Sequence, residues 1–428
     1  MAPGGIAMFR GRKIGSGDHC SILIFLLLLS VLFTAGPPAF AGGPVHGARA
    51  AGMGTAFVGL SDDPSAILFN PAGLTQLKGT QLYGGVTAVH PSTTYSNTSG
   101  ASESTKSQTF FPPHLYFTTD SAGSNLVLGL GLYSPFGIGG RKWDETGLTR
   151  YQSVESSIAT LSLNPTIAWR VSDSISLAAG IDYLRAAMKM KRMLDQSLFG
   201  AGDAISEVEA DGDGWGYNLG AMFRAGDRLK IGAAYRSAVK VEYRGDMTIE
   251  KIAPALQPPF SGPSYKTAIE TQNRFPEIWS LGAAYRFSPK LVVAADAELV
   301  RWSSFKTMAL HIDQQVPPVL VDSSASLDWK DSWQFKIGAE YAASDTLALR
   351  AGYAYINTPV PDQSLEPGNP DADQHNISVG IGYTAAPYRV DGFYSVSLYR
   401  DRSPQNGMLR GTYENIAHYL GVSVGRAF

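Results

Sequence analysis

Cysteine is nearly absent from this 428-residue chain, Cys20 being the only one. It precedes an apolar run, and no small-residue lipobox surrounds it, so lipoprotein processing is not expected. A chain trimmed after that run would cross an oxidising compartment with no disulfide to form or mispair. Charge is scarce as well. Charged residues make up 17% of the chain, against roughly 25% in soluble globular domains. The formal net charge is -2, so no basic surface argues for a nucleic-acid partner. Beyond residue 79 there is no run of 18 consecutive apolar residues, which excludes a membrane-spanning helix there. The seven histidines are scattered, and HExxH, GxSxG, P-loop and CxxC patterns are missing. The expectation is therefore no catalytic residue, no metal and no cofactor. The only last-strand pair to weigh for a lipase, His418 with Ser423, falls on opposite faces of an alternating strand.

Glycine is abundant, with 46 residues, and aromatic residues make up 11%. That composition fits a β-rich protein whose apolar surface meets something other than water. The first 41 residues read as an export signal. Arg10, Arg12 and Lys13 form a basic start, Ile22 to Ala35 an apolar core of 14 residues, and Ala39-Phe40-Ala41 a cleavage site. The apolar core is too short to span roughly 30 Å of hydrocarbon as a helix.

Past residue 79, period-two alternation recurs. In FKIGAEYAA, Phe335, Ile337, Ala339 and Tyr341 share a face. In LALRAGYAY, Leu347, Leu349, Ala351, Tyr353 and Tyr355 do the same. About fourteen strands follow one another, the third near 125–133, the fifth near 175–192 and the last near 415–428. Short turns at 172–174, 226–228, 288–290, 343–346 and 385–387 alternate with long segments such as 90–111, 134–156 and 357–374. Tight turns on one side and long loops on the other mark an outer-membrane barrel. On the last strand Leu420, Val422, Val424 and the terminal Phe428 share a parity. That terminal aromatic resembles the signal read by the outer-membrane assembly machinery.

A fourteen-stranded barrel encloses a lumen that would leak if left open. SDDPSAILFNPAGL, residues 61–74, precedes the first strand and so starts on the side of the tight turns. Asp62 and Asp63 before Pro64 resemble a helix start. Leu68 and Phe69 would pack on the barrel wall, and Asn70-Pro71-Ala72-Gly73 would end the helix in a turn. From geometry alone a plug and a plain tail stand level.

The stretch GMGTAFVGLSDDPSAILFNPAGL resembles the N-terminal hatch of the FadL/TodX family of outer-membrane transporters for hydrophobic compounds. SPFGIGGRKWDETGLTRY, SLNPTIAWRVSDSISLAAGIDY, FPEIWSLGAAYRF and NPDADQHNISVGIGY are similar to family segments, in family order, across residues 47–428. Two segments depart from it. GGPVHGARAAG offers only Val45 and His46 where the family has an aromatic or apolar residue, and Asp371-Ala372-Asp373-Gln374-His375 replaces an acidic-then-Arg ending. Ligand identity therefore stays open, among long-chain fatty acids, alkanes and aromatic hydrocarbons.

The expectation is an all-β, monomeric, transmembrane antiparallel barrel in the outer membrane of a Gram-negative bacterium. Residues 1–41 form the cleaved signal, 42–79 the plug and 80–428 the barrel. Its partners are a hydrophobic small molecule, outer-membrane lipids with lipopolysaccharide, and the assembly machinery. For a ligand carboxylate the fifth strand offers Arg185, Lys189 and Lys191, expected to face the lumen, with Leu184, Met188 and Met190 toward lipid. The same cations at an outer rim would meet lipopolysaccharide phosphates instead. Phe136, Trp143 and Leu148 in the loop 134–156 are expected to form an external apolar landing patch. Gly129, Gly131 and Pro135 mark a bend in the third strand, which the resemblance implies opens the wall sideways under the plug. An adhesin or phage-receptor scaffold, with a permanently sealed lumen, and an outer-membrane lipase are the competing readings.

Overall fold

The alternation of LVLGLGLY becomes two faces of a wall. Leu126, Leu128 and Leu130 are exposed, while Val127 and Tyr133 are buried on the opposite side. The same split recurs around the molecule. Ile377, Val379 and Ile381 point out, while Asn376 and Ser378 are buried inside. The computed structural model describes residues 45–120, 124–317, 319–404 and 409–428. The expected signal and its cleavage site lie outside the described residues.

Fourteen staves make the wall, six of them broken into two segments. They are β1 Thr80–Asn97, β2 Ser102–Ser104 with Pro113–Asp120, β3 Leu126–Tyr133 with Ile138–Lys142, β4 Glu155–Arg170 and β5 Ile175–Leu194. Next come β6 Ala204–Ala225, β7 Leu229–Arg236 with Val239–Glu250, β8 Ser264–Phe275 with Ile278–Ser288, and β9 Leu291–Val300 with Thr307–Ile312. The last are β10 Ser323–Ser326 with Ser332–Ala342, β11 Leu347–Ile356, β12 Gln374–Ala385, β13 Tyr388–Tyr399 and β14 Gly411–Ala427. Each is antiparallel to the next, and β14 returns to β1 from Gln81↔Ala427 to Asn97↔Gly411, closing the ring. Closure pairs the strand edges around the ring, as a membrane-spanning sheet requires, except at a break between β2 and β3 described below.

Leu420, Val422, Val424 and Phe428 are all exposed on the outside, as their parity requires. Aromatic pairs ring the outer face. Tyr183–Trp215 lie 4.8 Å apart and Tyr235–Trp279 4.4 Å toward the long loops; Tyr285–Phe287 lie 4.8 Å apart near the short turns. Such girdles mark the two membrane interfaces.

The long staves β7 to β10 do not run unbroken. Ser237-Ala238, Pro276-Glu277, the 3-10 turn Trp302–Ser304 and residues 327–331 interrupt them at a shared height. Beyond the breaks the inner face is mostly apolar, with Leu184, Met188, Val208, Val241, Tyr243 and Phe275 in one buried cluster and Thr267, Thr271 and Asn273 buried among them. The outer face there carries exposed ion pairs such as Arg244–Glu270 and Lys266–Asp246.

Residues 45–79 lie against the inner face of the wall. They form α1 Ala48–Gly52, α2 Ala66–Phe69 and a 3-10 turn Pro71–Gln76. Glycines on the wall allow the approach: a Cβ on Gly232 would stand 2.3 Å from the Val58 carbonyl oxygen, and one on Gly338 2.2 Å from that of Met53. Any side chain at these two positions would push the segment off the wall.

Candidate transport pocket and lateral gap

Asn70 anchors the inner segment. Its backbone is extended at φ -157, as a residue before proline prefers. Its side-chain amide donates to the carbonyls of Val58 at 3.1 Å and of Ala221, on β6, at 3.0 Å, while its Oδ1 accepts from Ala72 N at 3.2 Å. One fully buried side chain thereby joins two parts of the segment and the barrel. Gly220 makes room, since a Cβ there would lie 2.5 Å from Asn70 Oδ1. Pro71 opens the following turn, and Ala72 and Gly73 are buried within it. Gly73 is hemmed in by Ser61, whose carbonyl oxygen would sit 2.1 Å from an added Cβ.

The two aspartates divide their work differently from a helix cap. Asp63 Oδ1 accepts from Ser65 N at 2.9 Å. Asp62 instead pairs with the Arg49 guanidinium. Arg49 also grips Glu340 of β10 through two bonds of 2.8 Å. Glu340 accepts from Arg350 at 2.6 Å, and Arg350 reaches Asp391 at 2.9 Å. This buried ion chain is a second tie between the segment and the wall. Sequence alternation hid it, because inward charges on β10, β11 and β13 look like solvent-facing ones.

Leu68 packs toward Tyr83, Tyr116 and Tyr133 of the wall. Phe69 turns the other way, onto Phe57 at 5.5 Å, and lines a cavity. That cavity holds about 1420 Å³ of empty space, mouth included. Ile356 and Gln374 line it at strand ends that flank a long loop, and Val300 and Ser332 at the breaks of β9 and β10, so it opens on the external side of the inner segment. Phe136, Trp302 and Trp329 supply an aromatic wall, and Phe136 stacks on Phe275 at 4.7 Å. Arg236 and Lys336 are its lining cations. Arg236 pairs with buried Asp182, which also accepts from Tyr133 Oη at 2.9 Å and Ser162 Oγ at 2.7 Å. Lys336 lies 3.3 Å from Glu298. Sequence reasoning missed both cations; their signal was parity, since each shares an inward face with a wall glycine, Gly232 or Gly338.

The fifth-strand expectation is corrected. Leu184 and Met188 are buried inside, whereas Arg185 lies outside, 3.7 Å from Asp211. Lys189 shares that outer parity, with Glu207 at 2.8 Å and Glu209 beside it. Lys191 reaches Glu145 of the neighbouring loop at 2.8 Å. The reason is height. β5 passes the aromatic girdle at Tyr183, and beyond it the outside is water, so charge faces out and hydrocarbon faces in. The landing patch is also corrected. Trp143 is fully buried among Tyr95, Val360 and Tyr413, with Leu148 against it, and its Nε1 donates to the Pro367 carbonyl at 3.0 Å. Phe136 is buried in the cavity wall. Exposed hydrophobes in the long loops include Leu198, Phe199, Val319 and Val321 instead.

On β3, Gly129 and Gly131 are not the bend. Their open faces receive Ile67 of the inner segment, 2.9 Å and 3.0 Å from an added Cβ. The bend lies just beyond, at Ser134-Pro135-Phe136-Gly137. Four residues of β3 there stand opposite two of β4, between Tyr133↔Ser162 and Ile138↔Ala159. The β2–β3 ladder stops at Leu115↔Leu132, and the outer part of β3 forms its ladder with β4, meeting the other side again at its tip, where the Lys142 carbonyl accepts from Lys106 N at 2.7 Å. A gap in the wall results, beside the inner segment, whose His46 carbonyl accepts from Tyr116 Oη of β2 at 3.0 Å.

His114 Nε2 and Ser423 Oγ are 2.8 Å apart inside the barrel, but Ala48 N also donates to Ser423, and among the described residues no carboxylate bonds the imidazole. This is a tie for α1, not a nucleophile with its base.

A closed, girdled barrel with an inner segment, an amphiphilic cavity and a broken wall defines an outer-membrane channel. The chain belongs to the outer membrane protein transport protein family (OMPP1/FadL/TodX), whose model matches residues 31–428. A long-chain fatty acid transport protein of Escherichia coli O6:H1 is 25% identical over 367 residues, covering 78% of this chain and 81% of that protein. A putative outer membrane protein of Neisseria meningitidis serogroup B is 25% identical, covering 82% and 84%. Among solved structures, a Pseudomonas aeruginosa FadL homologue superposes with a TM-score of 0.81 at 19% identity, covering 91% of this chain and 100% of that one. The Pseudomonas putida toluene transporter TodX superposes at 0.76, also at 19% identity, covering 89% and 98%. The protein is thus placed in the outer membrane of a Gram-negative bacterium.

Proposed function

We propose that the protein takes up hydrophobic small molecules and releases them sideways into the outer membrane. A ligand enters along the apolar inner face beyond the girdle and collects in the cavity beside Phe69, Phe136 and Trp302. Residues 45–79 act as a plug held by Asn70 and Arg49, and their shift opens the way to the gap beside Ser134–Gly137. The route spares the ligand the polar periplasmic side. It is a channel rather than an enzyme. Export by residues 1–41, reading of Phe428 by the assembly machinery, and lipopolysaccharide contacts by Arg185 and Lys189 complete the reading.

The observation that carries it is the four-against-two mismatch between β3 and β4, because a channel leading to the periplasm has no need of a broken wall. Deleting Ser134 and Pro135 leaves two residues opposite two, which lets β3 zip along both neighbours. Cells carrying that variant are expected to take up a labelled hydrocarbon no faster than cells without the protein, with the barrel still heat-modifiable. Uptake at the parental rate would dismiss the sideways exit.

A further inference from the structure

The transport reading leaves open whether the permeant carries a charge. The cavity speaks to this, provided that it lies on the transport path. Each lining cation already has an acid of its own, Arg236 with Asp182 and Lys336 with Glu298. The third acid near the cavity, Asp371, lies in the field of Arg141 and Arg402. His46, also on the lining, is neutral, because burial above all, with the charges of Arg236 and Lys336, pushes its imidazole down. No lining cation is left over for a ligand carboxylate among the described residues. A carboxylate here would lose its water and gain only partners already engaged.

Two buried nitrogens on the same lining, His46 Nδ1 and Trp329 Nε1, have no partner among the described residues, and of the two only the indole is restricted to donating. Trp329 packs against Trp302 at 5.1 Å and Phe305 at 4.8 Å, so the aromatic wall fixes its ring. Its Nε1–H is buried and has no acceptor among the described residues. An indole N–H can only donate, and an unsatisfied buried donor is unfavourable until something accepts from it. Gln334, Gln374 and Asn376 place further amides around the same space.

We infer that this cavity selects an uncharged amphiphile, with a hydrocarbon body on the aromatic wall and one acceptor oxygen bonded by Trp329 Nε1. Esters, ketones, ethers and phenols belong to this class. Alkyl carboxylates do not.

The test uses equilibrium dialysis of three radiolabelled probes against the full barrel held in amphipol at pH 8: undecane, methyl decanoate and decanoate. The parent protein is expected to retain methyl decanoate at least about tenfold more tightly than decanoate. Trp329→Phe keeps the ring stack and removes the donor. It should weaken methyl decanoate about three- to tenfold, the range of one hydrogen bond, and change undecane by less than about twofold. Glu298→Gln frees Lys336 and should strengthen decanoate by about tenfold or more. Decanoate binding as tightly as its ester in the parent overturns the proposal. So does an equal loss of undecane and ester in Trp329→Phe, which would mean that the indole only packs or that water satisfies it. Retention of none of the three probes removes the cavity from the transport path, and the function proposed above falls with it.

Discussion

The same strands are built inside out in their two halves. Between the girdles, the outer face of β4 to β6 is Leu163, Ile167, Leu177, Ile181 and Leu219, and the inner face is Ser162, Asn164, Asp182 and Asn218. Beyond Tyr183 and Trp215, the inner face is Leu184, Met188, Val208 and Ala210, and the outer face carries Arg185, Lys189, Glu209 and Asp211. The backbone ladder from Ile175↔Phe223 to Leu194↔Ala204 runs through both halves without a shift in parity. Only the solvent changes. Lipid outside requires apolar atoms outside and allows a polar, hydrogen-bonded lumen. Water outside restores the ordinary arrangement of a soluble sheet, and the apolar interior this produces is what a hydrophobic permeant needs.

The comparison breaks most sharply under a charge placed on the lipid face. Ile167→Arg should lower folding stability in bilayers by about 2–4 kcal/mol, the range for a basic residue at the membrane midplane of a barrel. Reversible urea titration in lipid vesicles reads this directly. A loss below about 0.5 kcal/mol would place Ile167 outside the hydrocarbon.

Beyond the girdle the sensitive face is the inner one. Met188→Ala removes a buried side chain from the apolar cluster and should loosen the extension by about 2 kcal/mol or more. Hydrogen exchange should speed up over 184–194 and 204–212 while 162–170 keeps its protection. Uniform acceleration would show that the two halves do not differ in what holds them.

Residues 45–79 sit within the lipid-facing half, and there polar ties dominate. Asn70→Ala with Pro71→Gly removes two bonds to carbonyls and one to a backbone N–H. Each buried carbonyl left unpaired is unfavourable by about 1–3 kcal/mol. The variant barrel should still insert and shift on heating in gels, and single-channel recording should show a leak to small ions. A conductance trace identical to the parent's would reduce these residues to a passive tail.

The smallest effect belongs to the outer charges of the extension. Lys189→Met disrupts a partly exposed pair, and such pairs are worth about 0.2–1 kcal/mol before salt screens them. Uptake of undecane and decanoate should stay within about twofold of the parent. A selective loss of decanoate would return Lys189 to the ligand site.

The alternation of Leu126, Leu128 and Leu130 with Val127, Gly129 and Gly131, and the rhythm of short turns and long loops, made the fourteen staves legible in the amino-acid order. Both are local signals, because each strand reports its own period and each turn its own length. Asn70-Pro71 was legible for the same reason: proline restricts its neighbour whatever surrounds it. The facing of Lys189 was not. Parity says that two residues share a face, but which face is inside depends on where the girdle falls, and Tyr183 acquires that meaning only beside Trp215, Tyr235 and Trp279 from other strands. Nor could the order of residues pair Arg49 with Glu340, which lie 291 positions apart, or reveal that Lys336 is matched by Glu298. Sequence determined the period of every strand, the turns between them and the bend at Pro135. Tertiary structure alone decided which side of each strand met lipid, water or ligand, since that choice depends on ring closure and on the solvent at each height.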